Sequence, residues 1–193
     1  MSVPKLRFSG FKEKWRHRKI ADILQKVTHP VKVELNKMYS QIGIRSHGKG
    51  LFHKAPVLGV SLGDKRVFWL SEDLFVLNIV FAWEQAVART SLSEKGMVAS
   101  HRFPMYKPKD NLSNTDYILH FFLTKKGKHY LGLASPGGAG RNKTLGQKTF
   151  EELEIVVPGV DEQFKIANFL TSVDEKIIQL TRKCDLLTQY KKA

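Results

Sequence analysis

The chain has 193 residues, of which 42% are hydrophobic, so it can form one globular domain with a packed core plus an appendage. Its formal net charge of +14 indicates a polyanionic partner, with nucleic acid as the first choice and an anionic membrane as the weaker one. A single cysteine, and no apolar run near the roughly 20 residues of a membrane span, exclude a disulfide framework, a multi-cysteine zinc site and a membrane helix.

The N-terminal segment is basic but lacks the apolar stretch of a signal peptide, so a reducing cytoplasm is the expected location. Within it, Trp15 to Gln25 has the pattern of a short amphipathic helix. After the turn at His29 and Pro30, short apolar runs alternate with Gly, Pro, Asn and Asp, which is typical of an irregular α+β domain with a curved β-sheet. These runs are VFWL (67–70), DLFVLNIVFAW (73–83), YILHFFL (117–123) and LEIVV (153–157).

Four basic clusters, at 44–54, 101–109, 125–129 and 135–143, lie where the chain is punctuated. Lys and Arg contact phosphates, and glycines allow a loop to approach another molecule closely. Arg141 and Asn142 have the chemistry that suits guanine and adenine respectively. Any one cluster alone would be typical of a solvated surface, but four together favour nucleic-acid contacts from loops. The candidate contact residues are Arg45, Ser46, His47, Lys49, Lys54, His101, Arg102, Lys107, Lys125, Lys126, Lys128, Arg141, Asn142 and Lys143.

A break at Pro158 and Gly159 divides the sequence into a domain of residues 1–160 and a helix of residues 161–193. The second part contains no Gly or Pro, and Asp161 either caps the helix or lies in its first turn with Glu162. Residues 161–193 contain six Lys and Arg against five Asp and Glu, a net of +1, so residues 1–160 carry +13 of the +14. The domain is therefore expected to contact nucleic acid and the helix to contact protein.

A heptad seam runs along this helix, with apolar residues spaced by 4, 3, 4, 3, 4 and 3 positions. This spacing indicates a coiled coil, and about thirty residues would form a rod of roughly 45 Å. The seam needs a partner helix, unless the helix folds back on its own domain. The seam residues are Ile166, Leu170, Val173, Ile177, Leu180, Cys184 and Leu187.

Catalytic motifs are weak throughout. The seven histidines show no HxH or HExxH spacing, and the GGAG sequence at 137–140 lacks the ending of a phosphate-binding loop. Carboxylates are scarce in the domain, and Cys184 lies on the seam, where a small apolar residue is expected. No cofactor and no metal are therefore expected, and a nuclease or methyltransferase is the least favoured class.

Six segments of the sequence carry a family resemblance. They are PxLRFxGF at 4–11 with the later Trp15, the pieces QIGIRS (41–46), GKGLF (48–52), FAWE (81–84) and FF (121–122), and the segment 150–174 around Pro158 and EQxKIAxFL (162–170). They resemble the specificity subunits of type I restriction-modification enzymes, and together they span nearly the whole chain.

The resemblance implies a non-catalytic subunit whose target recognition domain reads double-stranded DNA. It also implies helical spacers that bind methyltransferase subunits and bring in the restriction subunit. Usual members carry two recognition domains and two antiparallel spacers, whereas this sequence has one of each. One interpretation is that two copies pair through the helix and recognise an inverted-repeat target. The other interpretations are that the chain is a truncated or phase-variable fragment, or that it pairs with a different half-subunit. A basic RNA-binding or ribosome-associated protein remains the alternative from another class.

Overall fold

The computed structural model describes residues 6–137 and 143–191, and its fold is the mixed α+β class expected from the sequence. The strands are β1 (Arg16–Lys19), β2 (Leu24–Val27), β3 (Met38–Tyr39), β4 (Ile42–Ile44), β5 (Leu51–His53), β6 (Val57–Leu58), β7 (Val67–Trp69), β8 (Phe75–Leu77), β9 (Val87–Arg89), β10 (Val98–Ser100), β11 (Met105–Pro108) and β12 (Glu154–Val157). The α-helices are α1 (Ile20–Ile23), α2 (Thr115–Leu123), α3 (Lys125–Leu133), α4 (Gln147–Glu152) and α5 (Val160–Tyr190). Short 3-10 helices occupy Gly59–Leu62, Ala82–Glu84 and Leu92–Glu94.

A four-stranded antiparallel sheet with strand order β2-β11-β8-β9 lies at the centre. Shorter antiparallel pairs surround it: β4 with β5, β3 with β6, β7 with β10, and β1 with β12. Every strand in the described residues has four residues or fewer. Such short strands break the sheet into small pieces, and this explains why the sequence shows brief apolar runs rather than long alternating ones.

The two faces of the central sheet bury two separate cores, because successive side chains of a strand point to opposite faces. On one face, Phe75 stacks against Phe122 of α2 with ring centroids 5.5 Å apart, and Phe150 of α4 lies 5.4 Å from Phe122. On the other face, Val76 and Met105 pack with the β4–β5 hairpin. The helices therefore cover one face of the sheet and the hairpin covers the other.

The helix expected from Trp15 to Gln25 is wrong. This segment is β1, one turn of α1, and β2. Ile20, Ile23 and Leu24 are buried, so their apolar character was informative. The strands on either side of α1 pair with distant strands: β1 pairs with β12 and β2 pairs with β11. Long-range sheet pairing overrides the local amphipathic pattern here.

The apolar run 117–123 and the basic stretch 125–129, expected as a strand and a loop, are helices α2 and α3. Asn114 caps α2 by accepting from the Tyr117 amide at 2.8 Å, and Thr124 caps α3 by accepting from the Gly127 amide at 2.9 Å. A Cβ at Gly127 would lie 2.2 Å from the Phe121 carbonyl oxygen. The absence of a side chain there lets α3 pack closely on the end of α2.

Helix α5 begins at Val160 with Gly159 as its N-cap, so Asp161 and Glu162 lie in the first turn. Gln163 and Ala167 are buried against the preceding residues, and α2 packs beside these first turns. From residue 172 to residue 191 every side chain is exposed. In the described part of the chain, no helix is both long enough and apolar enough to cross a membrane.

Candidate nucleic-acid interface

The turn between β4 and β5 docks on the 3-10 helix Ala82–Glu84. The His47 amide donates to the Glu84 carbonyl at 2.7 Å, and the Gly48 amide donates to the Gln85 carbonyl at 3.0 Å. His47 and Gly48 both adopt left-handed backbone conformations, with φ of 61° and 66°. A Cβ at Gly48 would lie 2.6 Å from Leu123 Cδ2, so a side chain there would strain the backbone and displace the end of the Leu123 side chain. This turn holds Arg45, Ser46, His47 and Lys49 of the predicted set.

Helix α3 is joined to the same 3-10 helix through Gln85. Its side-chain Nε2 donates to the Phe122 carbonyl at 2.9 Å and to the Thr124 carbonyl at 3.3 Å, across the α2–α3 junction. Gly127 and Leu131 of α3 are buried, whereas its three lysines are exposed. Lys126 Nζ lies 5.9 Å from the centre of the Tyr130 ring. The exposed lysines are Lys125, Lys126 and Lys128.

Lys143 is the third basic segment that contacts the 3-10 helix Ala82–Glu84. Its Nζ lies 5.6 Å from the centre of the Trp83 ring, within the range of a cation–π interaction. The following residues are fixed by the Leu145 amide, which donates to the Ile79 carbonyl at 2.8 Å. Arg141 and Asn142, the predicted base-reading pair, lie outside the described residues.

The turn of the 44–54 cluster, the 125–129 cluster and Lys143, the described cation of the 135–143 cluster, are thus brought together around Ala82–Glu84. We call this region, made of the 45–50 turn, Ala82–Gln85, residues 124–130 and Lys143, the cationic surface. Its cations are uncompensated: within residues 6–137 and 143–191, Arg45, Lys49, Lys143 and the lysines of α3 form no salt bridge. Arg45 is instead held over the Phe52 ring, 4.7 Å from its centre. Unpaired cations on a rigid support suit a polyanion.

Other predicted residues lie away from this surface. Lys54 is at the opposite end of the β4–β5 hairpin, where its amide donates to the Gln41 carbonyl at 2.8 Å. Lys107 is on β11 opposite Gln25 of β2. The Arg102 carbonyl accepts from the Ile79 amide at 3.0 Å, so Arg102 lies beside the chain that leads into the cationic surface.

His101 lies in a second basic concavity, whose other two cations were not predicted from the sequence. It has a volume of about 470 Å³, and Lys65, Arg66 and His101 line it together. The His101 amide donates to the Arg66 carbonyl at 3.1 Å. The signal was present in the sequence, because Lys65 and Arg66 follow directly on the Gly63–Asp64 break. Two adjacent cations are a weaker pattern than the longer clusters.

A buried carboxylate supports the hairpin that carries the cationic surface. Glu94 is 5% exposed and accepts from His53 Nε2 at 2.6 Å, from the Ser91 amide and hydroxyl at 2.8 Å, and from the Ser93 hydroxyl at 2.7 Å. Burial opposes ionisation of Glu94, but the hydrogen bonds together lower its pKa to about 2. The carboxylate is therefore ionised at neutral pH and ties β5 to the 3-10 helix Leu92–Glu94.

The seam of α5 is open to solvent along most of its length. Ile166 and Leu170 are half-buried at the base, but Val173, Ile177, Leu180 and Leu187 are 38%, 56%, 51% and 53% exposed, and Cys184 is exposed. The alternative that this helix folds back on its own domain is therefore wrong for residues 172–191. Over the described residues, no group of three or more His, Cys, Asp and Glu could hold a metal ion.

Comparison with solved structures assigns the fold to the specificity subunits of type I restriction-modification systems. The HsdS subunit from Thermoanaerobacter tengcongensis matches with a TM-score of 0.72 at 13% identity, over 90% of this chain and 46% of that chain. The S subunit of a type I system from M. genitalium matches with a TM-score of 0.59 at 16% identity, over 94% and 44%. A chain from a study of complex assembly and conformational transition of the type I R-M system matches with a TM-score of 0.69 at 14% identity, over 89% and 45%.

A family model, the type I restriction modification DNA specificity domain, matches residues 70–187. This match covers more than half of the chain, and the chain therefore belongs to that family. The resemblance seen in the sequence is confirmed. The chain spans a little under half the length of the solved chains it matches.

Proposed function

We propose that this chain is the DNA sequence-recognition subunit of a type I restriction-modification system and is not itself catalytic. The observation that carries the proposal is the cationic surface, where three separated basic segments converge on Ala82–Glu84 within a specificity-domain fold. Phosphate contacts from its lysines would position the duplex, and His47, Ser46 and Arg45 on the rigid turn would reach base edges.

The two parts of the chain divide the work in this proposal. Residues 1–160 bind double-stranded DNA, and residues 161–193 provide the scaffold for methyltransferase subunits and, through them, the restriction subunit. The net charges of +13 and +1 support this division, since DNA attracts the first part far more strongly than the second. The cytoplasm, where chromosomal DNA is found, is the expected place of action.

The seam supports a homodimer of half-subunits. From Val173 to Leu187 it exposes apolar side chains at heptad spacing, and such a row needs a partner helix in water. A two-fold dimer would present two cationic surfaces related by symmetry. Its DNA target would then be bipartite, with two inverted half-sites separated by a spacer.

Binding to duplex DNA and duplex RNA over a salt series tests the proposal against a general RNA-binding function. We expect a preferred DNA sequence to keep an advantage of about 4 kcal/mol or more over bulk DNA at physiological salt. Contacts with phosphates alone would fade with salt and show no sequence preference. Tighter binding to RNA than to every DNA tested, with methyltransferase subunits present, would favour the RNA-binding alternative instead.

A further inference from the structure

The N-terminal segment and the first turns of α5 enclose an apolar pocket that the DNA-binding proposal does not use. Its volume is about 450 Å³. Its rim is open, since Leu6 is 92% exposed and Phe169 is 52% exposed. The residues that line it are Leu6, Arg7, Phe8, Trp15, Glu162, Ile166 and Phe169.

This pocket has a fixed wall. Arg7 donates from Nε and Nη2 to the two carboxylate oxygens of Glu162, each at 2.7 Å, and the Glu162 side chain is only 3% exposed. Such a two-pronged pair fastens the N-terminal segment to α5. The Phe8 ring meets the Phe169 ring edge-on, with centroids 5.7 Å apart. The pocket is therefore a formed feature of the helix base.

The pocket is continuous with the seam of α5. Ile166, the first seam residue, lies in its wall. Phe169 directly precedes the seam residue Leu170, and Tyr190 directly precedes position 191, which would be the next seam position. Phe169 and Tyr190 are thus three heptads apart and occupy the same heptad position. Phe169 and Tyr190 therefore lie on the same flank of the helix. In an antiparallel two-fold pair the symmetry axis is perpendicular to the plane of the two helices, so equivalent flanks face one another.

The charges of α5 favour an antiparallel partner of the same sequence. Residues 160–175 contain one lysine against four carboxylates, and because Glu162 is already paired with Arg7, a net of −2 remains for a partner helix. Residues 176–191 contain four cations against one carboxylate, a net of +3. Antiparallel pairing places each acidic half against a basic half, whereas parallel pairing places like charges together. The helix dipoles also oppose in the antiparallel arrangement.

The length of α5 brings its last turn to the pocket. The seam runs from Ile166 to Leu187, so its midpoint falls at residues 176–177. Pairing about that midpoint puts Leu187 of one helix beside Ile166 of the other and puts Tyr190 beside residues 163–164. Tyr190 is 82% exposed and Leu187 is 53% exposed in the single chain. Both would arrive at the open side of the pocket.

We propose that the pocket formed by Leu6, Phe8, Trp15, Ile166 and Phe169 receives the last turn of α5 from a second copy of the chain, with Leu187 and Tyr190 as the inserted side chains. The N-terminal segment then belongs to the dimer interface. This inference rests on the homodimer of the proposed function and extends it to a specific site.

Crosslinking between two differently labelled chains tests the inference. Leu6→Cys and Tyr190→Cys are made separately in a Cys184→Ala background, and both replaced side chains are exposed in the single chain, so neither change removes packing within the folded domain. Within one chain the two positions cannot meet, because Phe169 beside the pocket and Tyr190 are separated by 21 helical residues, about 32 Å. With a short bismaleimide we expect a covalent dimer only when the two variants are mixed. Self-crosslinking of Tyr190→Cys alone would show parallel pairing and overturn the inference.

A matched pair of leucines provides the second test. Leu187 and Leu186 are 53% and 57% exposed, but Leu187 is on the seam and Leu186 points to the outer side of the helix. We expect Leu187→Ser to raise the dimer dissociation constant by about tenfold or more, and Leu186→Ser to leave it nearly unchanged. Sedimentation measures both.

The failure of this site and the failure of the proposed function are distinguishable. A dimer that forms without the mixed crosslink, or a wild-type chain that sediments as a monomer, overturns the pocket assignment. Sequence-specific DNA binding in the separate DNA assay would still support the recognition function in either case.

Discussion

The lysines of the cationic surface should set the salt dependence of DNA binding. The perturbation is a triple variant, Lys125→Gln, Lys126→Gln and Lys143→Gln, which removes three cations that have no carboxylate partner among the described residues. Each phosphate contact contributes about 0.9 to the slope of log K against log salt. If each lysine makes one contact, the slope should fall in magnitude by about 2.7.

The assay is a titration of labelled duplex DNA at several salt concentrations. Between 50 and 200 mM salt one phosphate contact is worth about 3.5-fold in affinity, so the loss of affinity over that range should be roughly 40-fold smaller in the triple variant than in the wild type. Lys176→Gln on the exposed part of α5 is the control and should leave the slope unchanged. A triple variant with the wild-type slope, or a control that lowers it equally, would refute the placement of DNA on this surface.

Three further outcomes are expected. Gly127→Ala should destabilise the chain by about 1–3 kcal/mol, because its Cβ would lie 2.2 Å from the Phe121 carbonyl oxygen. Gly132→Ala in the same helix is the control and should be neutral or stabilising, because nothing lies within 4 Å of its Cβ. Equal melting temperatures for the two variants would contradict the packing of α3 on α2. The pKa of Glu94 is lowered from 4.5 to about 2, so its contribution to the free energy of unfolding, of order 3 kcal/mol, is present above pH 4.5 and is lost as the pH falls toward 2. The melting temperature of Glu94→Gln should therefore depend less steeply on pH over that interval than the melting temperature of the wild type. An equally steep pH dependence in the two proteins would count against the hydrogen-bond network. The two Cys184 residues of an antiparallel dimer would lie about 22 Å apart, so mild oxidation should not crosslink the wild type. The same oxidation should crosslink Ile177→Cys, because residue 177 lies at the midpoint of the seam. A disulfide-linked wild-type dimer on a non-reducing gel would indicate parallel helices.

The sequence was most informative where one period persists over many residues. The seam from Ile166 to Leu187 predicted a long helix, and α5 runs from Val160 to Tyr190. The breaker at Pro158 and Gly159 marked its start correctly, because Gly159 is the N-cap. The strands within 67–70 and 153–157 were also anticipated, since each apolar run coincides with one short strand.

Prediction failed where distant contacts decide the local structure. Arg16–Lys19 is a strand only because Glu154–Val157 pairs with it. The paired residues Arg18 and Ile155 are 137 positions apart in the sequence. Aromatic residues made 117–123 look like a strand, yet the caps Asn114 and Thr124 and the helical burial of Ile118 and Phe122 determine a helix. Patterns within a short window do not contain these partners.

The composition of the cationic surface was predictable, but its assembly was not. Arg45, Lys49, Lys125 and Lys143 were chosen from local clusters in the sequence. Their convergence depends on Gln85, whose side chain bonds across the α2–α3 junction and whose backbone accepts from Gly48. Nothing in the sequence around Gln85 indicates a contact with either neighbour. Lys65 and Arg66 were missed because two adjacent cations are a weak pattern, and the pairing of β7 with β10, which brings His101 close to them, is not visible in the sequence.

The most direct test of the central claim is selection of bound sequences from a random duplex DNA library, performed with the full chain and the methyltransferase subunits. We expect enrichment of one bipartite sequence, made of two inverted half-sites separated by a spacer of constant length. The triple lysine variant should enrich the same sequence but recover less DNA at a given salt concentration, because contacts with phosphates carry no sequence information. Recovery of sequences no different from the starting library would contradict a function in DNA sequence recognition.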